Sequence, residues 1–466
     1  MPEKSFQVLI FTAILAGVLG AIHPVGYVIT IAPILFVFFH VYSVQQICNH
    51  LWIILIIALF FGAYLSIPGY DNYYLFRLIL PIQCLFFLMN NKLDFYFMKI
   101  NQVYVILLTL WILSGLLSLF IANDINLGFR YLSYMLEICY LFLLSVFYIN
   151  KENAYKEVAK VILVIYHIAI IIGLVEVTTG WHMRLSSAYV YVTTTIKYQP
   201  TGFLYNPNDY ALLLCILFPL VIVYIDDHYG NKIKWIWKTS ITVLTVFLVI
   251  STYSRIGMIS LFLSLLLLII YRFRKNSIYI LGIILSVLYM YCICTSTGKE
   301  LFEKIYISFT DKGTSTTART ELYSTLWEII RDTNFVGVGA GNMPLELTKY
   351  LLGYTQVDGG YTTGHNFWLE SLGNIGLLGF IILVIVMFIY FYNSIYILLN
   401  VESRSLIVIV PLLIGISFVG SSIALSTILE KRFLWFLLWI GVCLMKNIKK
   451  SRGSYKNEAN EVQSSM

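Results

Sequence analysis

Long apolar runs separated by short polar breaks recur along almost the whole of this 466-residue chain. Most runs are about 17–25 residues long, the length at which an α-helix crosses the hydrocarbon core of a bilayer. They predict fourteen spans, or twelve or thirteen, because the first two are short and are separated only by His23-Pro24. The predicted spans are 7–22, 25–41, 50–67, 74–90, 103–121, 130–149, 157–177, 209–225, 235–251, 255–271, 277–294, 366–392, 405–424 and 432–446.

The composition excludes the common soluble classes. Hydrophobic residues make up 59% of the chain and charged residues only 12%, whereas an average soluble domain is about 25% charged. The seven cysteines show neither zinc-ligand spacing nor a CxxC pair, and we predict neither a metal site nor a cofactor. These features together predict an all-α polytopic membrane protein.

The distribution of lysine and arginine predicts the orientation in the membrane. With the N-terminus in the cytoplasm, eighteen of the 31 basic residues lie in or beside cytoplasmic loops, including the lysine-rich C-terminal tail. Fourteen spans then place both termini in the cytoplasm. Orientation accounts for the net charge of +7, and we therefore predict the lipid bilayer, and no nucleic acid, as a partner.

Two predicted external loops are longer than the rest, 178–208 and 295–365, and loops of this length are usually functional. In the second, apolar residues between Arg319 and Arg331 predict an amphipathic helix. Glycines at 337, 339 and 341 predict a turn, followed by a short helix over 344–352. The predicted organisation is 1–294 for the N-terminal spans, 295–365 for the external catalytic loop, 366–446 for the C-terminal spans and 447–466 for the tail.

Arginine is concentrated on the external side, where it supplies seven of thirteen basic residues, against four of eighteen inside. Its planar guanidinium suits bidentate phosphate binding. Arg255 is the strongest candidate, because it lies between two spans that are joined almost without a loop. A snorkelling arginine is the alternative interpretation. Arg130, Arg319 and Arg331 are further candidates for substrate contact.

His365 directly precedes the span 366–392. The positive end of a helix dipole disfavours imidazolium, so we expect a neutral histidine that can accept a proton beside a helix N-terminus that attracts phosphate. A structural interfacial histidine is the alternative.

Four further polar residues are candidates for substrate binding. Glu137 is an intramembrane acid seven residues after Arg130, and either function or a structural pair with an arginine explains it. Asn206 and Asn208 belong to an Asn-Pro-Asn-Asp turn that caps the next span, with substrate contact as the second interpretation. Asn366 follows the candidate histidine.

Several of these stretches together resemble a known family. They are Gly337-Val-Gly-Ala-Gly-Asn342, Gly364-His-Asn-Phe-Trp-Leu-Glu370, Leu372-Gly-Asn-Ile-Gly-Leu-Leu-Gly379, Gly202-Phe-Leu-Tyr-Asn-Pro-Asn-Asp209, Tyr253-Ser-Arg255, and Ala318-Arg319 upstream of Trp327. In order and spacing, roughly over 200–385, they resemble the O-antigen ligase / O-antigen polymerase (Wzy/WaaL-type) superfamily of bacterial inner-membrane glycosyltransferases. One departure is Asn374, where members of that superfamily often have an acidic residue.

The resemblance implies a GT-C-type membrane fold and metal-independent, inverting transfer of a glycan from undecaprenyl pyrophosphate. By this resemblance Arg255 and Arg319 would hold the pyrophosphate and His365 would activate the acceptor hydroxyl. The first hypothesis is a polymerase for a capsule or lipopolysaccharide glycan, whose acceptor is another lipid-linked repeat unit and whose partners include a chain-length regulator. The second is an O-antigen ligase with lipid A–core as acceptor. A flippase for the lipid-linked glycan is the distant third, because charges cluster on one face and no inverted repeat is visible.

Overall fold

The computed structural model describes residues 42–67, 70–90, 101–149, 152–189, 196–310, 313–352, 363–401, 403, 405–425 and 428–464. The predicted spans 7–22 and 25–41 lie outside these residues. The chain divides into two compact units, Met1–Tyr96 and Phe97–Met466. The predicted boundaries at 294, 365 and 446 remain predictions.

The first unit contains two helices and a short antiparallel pair of strands in its described part. Helix α1 (Val44–Phe61) begins with a capping box, in which the Ser43 and Gln46 side chains each accept from the other residue's backbone N–H. A 3₁₀ turn (Gly62–Leu65) leads to β1 (Ser66–Ile67), which pairs with the tyrosine-rich β2 (Tyr70–Tyr74). Helix α2 (Leu75–Asn90) follows. The strands were not predicted, and they are the only β-structure in the described residues.

The second unit is helical throughout its described part. Its helices are α3 (Gln102–Ser118), α4 (Ile125–Tyr148), α5 (Glu152–Thr179), α6 (Pro207–His228), α7 (Asn231–Ser251), α8 (Arg255–Phe273), α9 (Ser277–Cys294), α10 (Ser296–Thr310), α11 (Gly313–Asp332), α12 (Met343–Leu352), α13 (Phe367–Asn400), α14 (Val410–Ala424) and α15 (Arg432–Ser464). Short 3₁₀ turns occur at Leu119–Ile121, Ser187–Tyr189, Ile196–Tyr198, Arg274–Asn276 and Leu406–Val408.

The prediction of an all-α polytopic membrane protein is confirmed. Nine helical stretches within the described part of the chain are long and apolar enough to cross a membrane. One of them, Arg255–Cys294, contains two predicted spans, and the predicted span 74–90 appears as the shorter apolar helix Leu75–Met89. Every predicted span from 50–67 to 405–424 falls on an apolar helix. The predicted span 432–446 forms the first part of α15, which is not among the nine stretches, and the total of 12–14 stays a prediction.

Side-chain contacts connect helix ends at two opposite sides of the second unit, as expected for spans that alternate in direction. At one side the contacts are Asn123 to Glu346 (2.8 Å), Trp368 Nε1 to Ser422 Oγ (2.8 Å) and Lys431 to Asp209. At the other side they are Lys238 to Asp226 (2.5 Å), Tyr271 to the Ser403 carbonyl (2.8 Å) and Asn447 to the Ile149 carbonyl (3.1 Å). We call the first group, together with His365, the His365 face, and the second, together with Lys446, the Lys446 face. Helix α6 connects the two, from Asp209 to Asp226.

The predicted loop 295–365 is largely helical in its described residues. The amphipathic helix predicted over 319–331 is part of α11, and the short helix predicted over 344–352 is α12. Apolar side chains of α11 and α12 pack with α13 in one buried cluster, formed by Leu326, Ile329, Ile330, Val338, Met343, Leu347 and Leu372. Helix α10 was not predicted. The predicted glycine turn is present, with positive φ at Gly337, Gly339 and Gly341.

Helix α13 is interrupted at Gly376, whose backbone (φ 66°, ψ −176°) is not helical. The chain between α11 and α12 lies against this break: Leu377 N donates to the Phe335 carbonyl (2.9 Å) and Val338 N donates to the Gly373 carbonyl (2.7 Å). Such pairing is needed because an unsatisfied peptide group costs several kcal/mol away from water. The break leaves a short first segment, Phe367–Ile375, that carries the candidate histidine at its N-terminus.

Candidate functional site

His365 lies in a tight turn that the next helix holds in place. Its backbone is left-handed (φ 53°), a conformation that a non-glycine residue adopts at some cost in energy. The buried Glu370 carboxylate accepts from the backbone N–H of Gly364 (2.5 Å) and from that of His365. Asn366 caps α13 by accepting from the N–H groups of Trp368 and Leu369. The histidine therefore sits at a helix N-terminus, as predicted.

Glu370 belongs to the Gly364–Glu370 motif, but the sequence predicted no role for it. The signal that could have identified it is an acidic residue inside a predicted span, about one helical turn after the histidine turn. A buried carboxylate that accepts two backbone N–H groups fixes the turn geometry, so Glu370 is a positioning residue for His365.

Helix α11 brings Arg319 to the histidine. The Tyr323 hydroxyl donates to the His365 carbonyl (3.1 Å) and reaches the Ile423 carbonyl at the end of α14 (3.3 Å). Arg319 lies one turn earlier on the same helix face as Tyr323. Burial and the nearby Arg319 charge lower the pKa of His365 from its usual 6.5, although Asp209 opposes them. The arrangement favours the neutral imidazole that the sequence predicted and places it near the Arg319 charge.

Asp209 and Arg255 lie at the same face. The Asp209 carboxylate, in the first turn of α6, forms an ion pair with Lys431. Gly257, two residues after Arg255, packs against Ala211, since a Cβ on Gly257 would lie 2.6 Å from the Ala211 Cβ. The N-terminal ends of α6 and α8 are therefore adjacent, and Asp209 and Arg255 lie in the first turns of these two helices.

The loop before α6 is anchored by a buried polar network that the sequence analysis missed. Glu176 is fully buried and accepts from Thr201 N (2.7 Å), Gly202 N (2.7 Å) and Thr201 Oγ1 (3.0 Å). His182 pairs with the same carboxylate (3.1 Å) and contacts the Lys197 carbonyl (2.8 Å). The sequence feature that could have predicted this network is an acidic residue, Glu176, within an apolar run. The network fixes the Thr201–Asn206 segment and so the position of Asp209.

Asn206 is the N-cap of α6 and accepts from Asp209 N (2.9 Å), which confirms the capping interpretation. Asn208 is half-buried in the first turn of the same helix. Arg331 is exposed in the last turn of α11. It lies twelve residues, or about 18 Å, along the helix from Arg319. The structure therefore does not bring Arg331 together with the histidine.

The arginine partner of Glu137 is not Arg130. The buried Glu137 carboxylate pairs with Arg432, at the start of α15. Arg130, seven residues away on α4, instead contacts Glu430 (3.3 Å) and the Tyr134 hydroxyl (2.7 Å), with 59% of its side chain exposed. The structural pair that the sequence left open for Glu137 is present, and its partner comes from 295 residues further along the chain.

A cavity of about 270 Å³ lies beside the histidine turn. Thr363 and Glu370 line it from that turn, Arg130 and Tyr134 from α4, and Glu430 from the segment before α15. Arg130 therefore lines the same cavity as Thr363 and Glu370, and its contact with substrate stays a prediction.

Asn374, the one departure from the resemblance, has a structural role. Its Oδ1 accepts from Met343 N (2.9 Å), the first residue of α12. Either an amide or a carboxylate oxygen can accept this bond. The departure therefore leaves the histidine turn unaffected.

Residues 240–384 match the family model described as O-antigen ligase, and this range contains Arg255, Arg319 and His365. The chain is also similar to the teichuronic acid biosynthesis protein TuaE of Bacillus subtilis (strain 168). The two are 27% identical over 416 residues, which cover 82% of this chain and 81% of the relative.

Proposed function

We propose that the chain belongs to the O-antigen ligase / O-antigen polymerase superfamily and is a polysaccharide polymerase of the outer leaflet of the bacterial inner membrane, on the basis of the match over 240–384 and the similarity to the teichuronic acid biosynthesis protein. In this proposal a glycan on one undecaprenyl pyrophosphate is transferred to the non-reducing end of another lipid-linked repeat unit. The observation that carries the proposal is the turn that holds His365 at the N-terminus of α13, near Arg319 and on the same face as Arg255.

The proposed step is a single, inverting displacement. The acceptor hydroxyl oxygen forms a bond to the anomeric carbon while the bond from that carbon to the phosphate oxygen breaks. The hydroxyl proton passes to His365, whose lowered pKa keeps the imidazole free to accept it at neutral pH. The bonding electron pair leaves with the pyrophosphate.

Negative charge grows on the departing pyrophosphate, and guanidinium groups stabilise it. Arg319 and Arg255 are suited to this role because arginine stays charged where water is scarce and binds phosphate oxygens in pairs. Transfer then proceeds without a metal ion. Arg130, in the adjacent cavity, is placed to contact the glycan, and we assign Asn208 and Asn366 to the same substrate-binding surface.

We favour the polymerase over a ligase that uses lipid A–core. The relative in Bacillus subtilis is a biosynthesis protein for teichuronic acid, which supports a role in building a glycan and favours it over a flippase. We further propose that both termini lie in the cytoplasm, that the His365 face is external, and that a chain-length regulator is a partner.

Variants of three residues test the chemistry in membranes supplied with lipid-linked repeat units. We expect His365→Ala and Arg319→Ala to abolish chain growth, whereas Arg331→Ala, on the exposed end of the same helix as Arg319, retains it. Full chain growth in His365→Ala would refute the transferase and leave a transport role.

The glycans that accumulate without this protein distinguish a polymerase from a ligase. In a strain that lacks this protein, a polymerase predicts glycans that stop at one repeat unit on a gel. Long chains retained on undecaprenyl pyrophosphate would instead identify a ligase.

A further inference from the structure

A second cavity, of about 390 Å³, lies on the Lys446 face, where α3, α13 and α15 meet. Lys446 is fourteen residues after Arg432 on α15, which is about 21 Å along the helix. The cavity is therefore separate from the histidine turn, and no step of the proposed transfer uses it.

One buried polar group in this cavity lacks a partner. The Lys446 Nζ is buried and has no hydrogen-bond partner among the residues that the structure describes. Tyr104, which is 7% exposed, lines the same cavity beside Asn393. A buried ammonium without a partner costs free energy, and an anion in the cavity would supply one.

The remaining polar groups at the cavity suit the same ligand. Lys449 adds a second positive charge, and its Nζ donates to Asn393 Oδ1 (2.7 Å). The Asn393 amide donates one N–H to the Ile389 carbonyl (2.9 Å) and has a second N–H to donate. Helix α3 begins at Gln102 without a side-chain cap, so its first N–H groups point toward the same space. Two ammonium groups, an amide, a hydroxyl and a helix N-terminus are all donors to phosphate oxygens.

The approach to the cavity is apolar. Val103 lines it and is 54% exposed, and Ile106 and Leu110 continue the exposed surface along α3, at 48% and 43%. On a membrane-spanning helix this stripe faces acyl chains. A phosphate carried by a lipid can therefore enter from the bilayer while its chains stay in contact with α3.

We propose that this cavity binds the phosphate of an anionic phospholipid headgroup at the membrane face opposite His365. Basic pockets between spanning helices are suited to such headgroups, since each lysine or arginine near the surface strengthens anionic-lipid binding about fivefold. The bound lipid would join α3, α13 and α15 at this face.

The test measures lipid retention by the full chain, purified in detergent, with native mass spectrometry. We expect phosphatidylglycerol to be retained and phosphatidylcholine to be lost. Lys446→Ala and Lys449→Gln should each weaken phosphatidylglycerol retention about fivefold, whereas Lys450→Gln, an exposed neighbour outside the cavity, should leave it unchanged. Lys449→Gln keeps the test valid if Lys446→Ala fails to fold.

Two results would overturn the proposal. Equal retention of the two lipids, or equal effects of Lys449→Gln and Lys450→Gln, would show that the cavity does not select an anionic headgroup. Displacement of the lipid by millimolar inorganic phosphate would assign the site to free phosphate instead. Because glycan transfer is measured separately, failure here leaves the proposed activity intact.

Discussion

Substituting alanine for Gly376 tests the break in α13 that presents the histidine turn. The backbone at this position (φ 66°, ψ −176°) falls in a region that is essentially limited to glycine. A Cβ there would lie 2.2 Å from the Val336 carbonyl oxygen, and this contact involves backbone, which has little freedom to move aside. Gly376→Ala must therefore displace the chain between α11 and α12.

The expected cost follows from the contacts at the break. The conformation itself costs roughly 1–3 kcal/mol for a residue with a side chain. Displacing the 335–338 segment weakens the bonds from Leu377 N to Phe335 and from Val338 N to Gly373, at about 1 kcal/mol each. The free energy of unfolding should fall by roughly 3–5 kcal/mol, which corresponds to a melting temperature lower by roughly 3–5 °C for a chain of this length.

Thermal unfolding in detergent, followed by a thiol-reactive dye that reports exposure of the buried cysteines, measures this difference. The matched control is Gly282→Ala in α9, where a Cβ would meet nothing within 4 Å and alanine is the better helix former. Equal melting temperatures for the two variants would refute the claim that the break is a required feature of the fold.

Two further predictions concern charges at the His365 face. Burial and the Arg319 charge lower the pKa of His365, and the neutral form is the one that accepts a proton. Arg319→Gln should therefore raise that pKa, as measured by the pH dependence of diethylpyrocarbonate modification at His365, which does not require transfer activity. An unchanged pH dependence in this variant contradicts the assignment. Glu137→Gln should destabilise the protein by about 3–5 kcal/mol, because it leaves Arg432 buried without its partner. Glu430→Gln, at an exposed pair, should cost at most about 1 kcal/mol, and similar melting temperatures for the two glutamate variants would argue against this distinction.

Local features of the second unit were predictable because they depend on neighbouring residues. The apolar runs predicted the helices, and the spacing of Leu326, Ile329 and Ile330 predicted the amphipathic α11. Glycines 337 and 339 predicted the turn. His365 at a helix N-terminus followed from the same local reasoning.

What the sequence alone determined, then, was the membrane-spanning helical class and the approximate position of each helix, while the chemical roles of His365 and Arg255 stay predictions. Only the tertiary structure decided which partners meet: Glu137 pairs with Arg432, Arg331 lies apart from Arg319, and Glu370 holds the histidine turn. The physical reason is that helix formation is set by residues within one or two turns, whereas these contacts depend on how separate helices pack. No spacing within one segment encodes the distance between two helices that lie 295 residues apart in the chain.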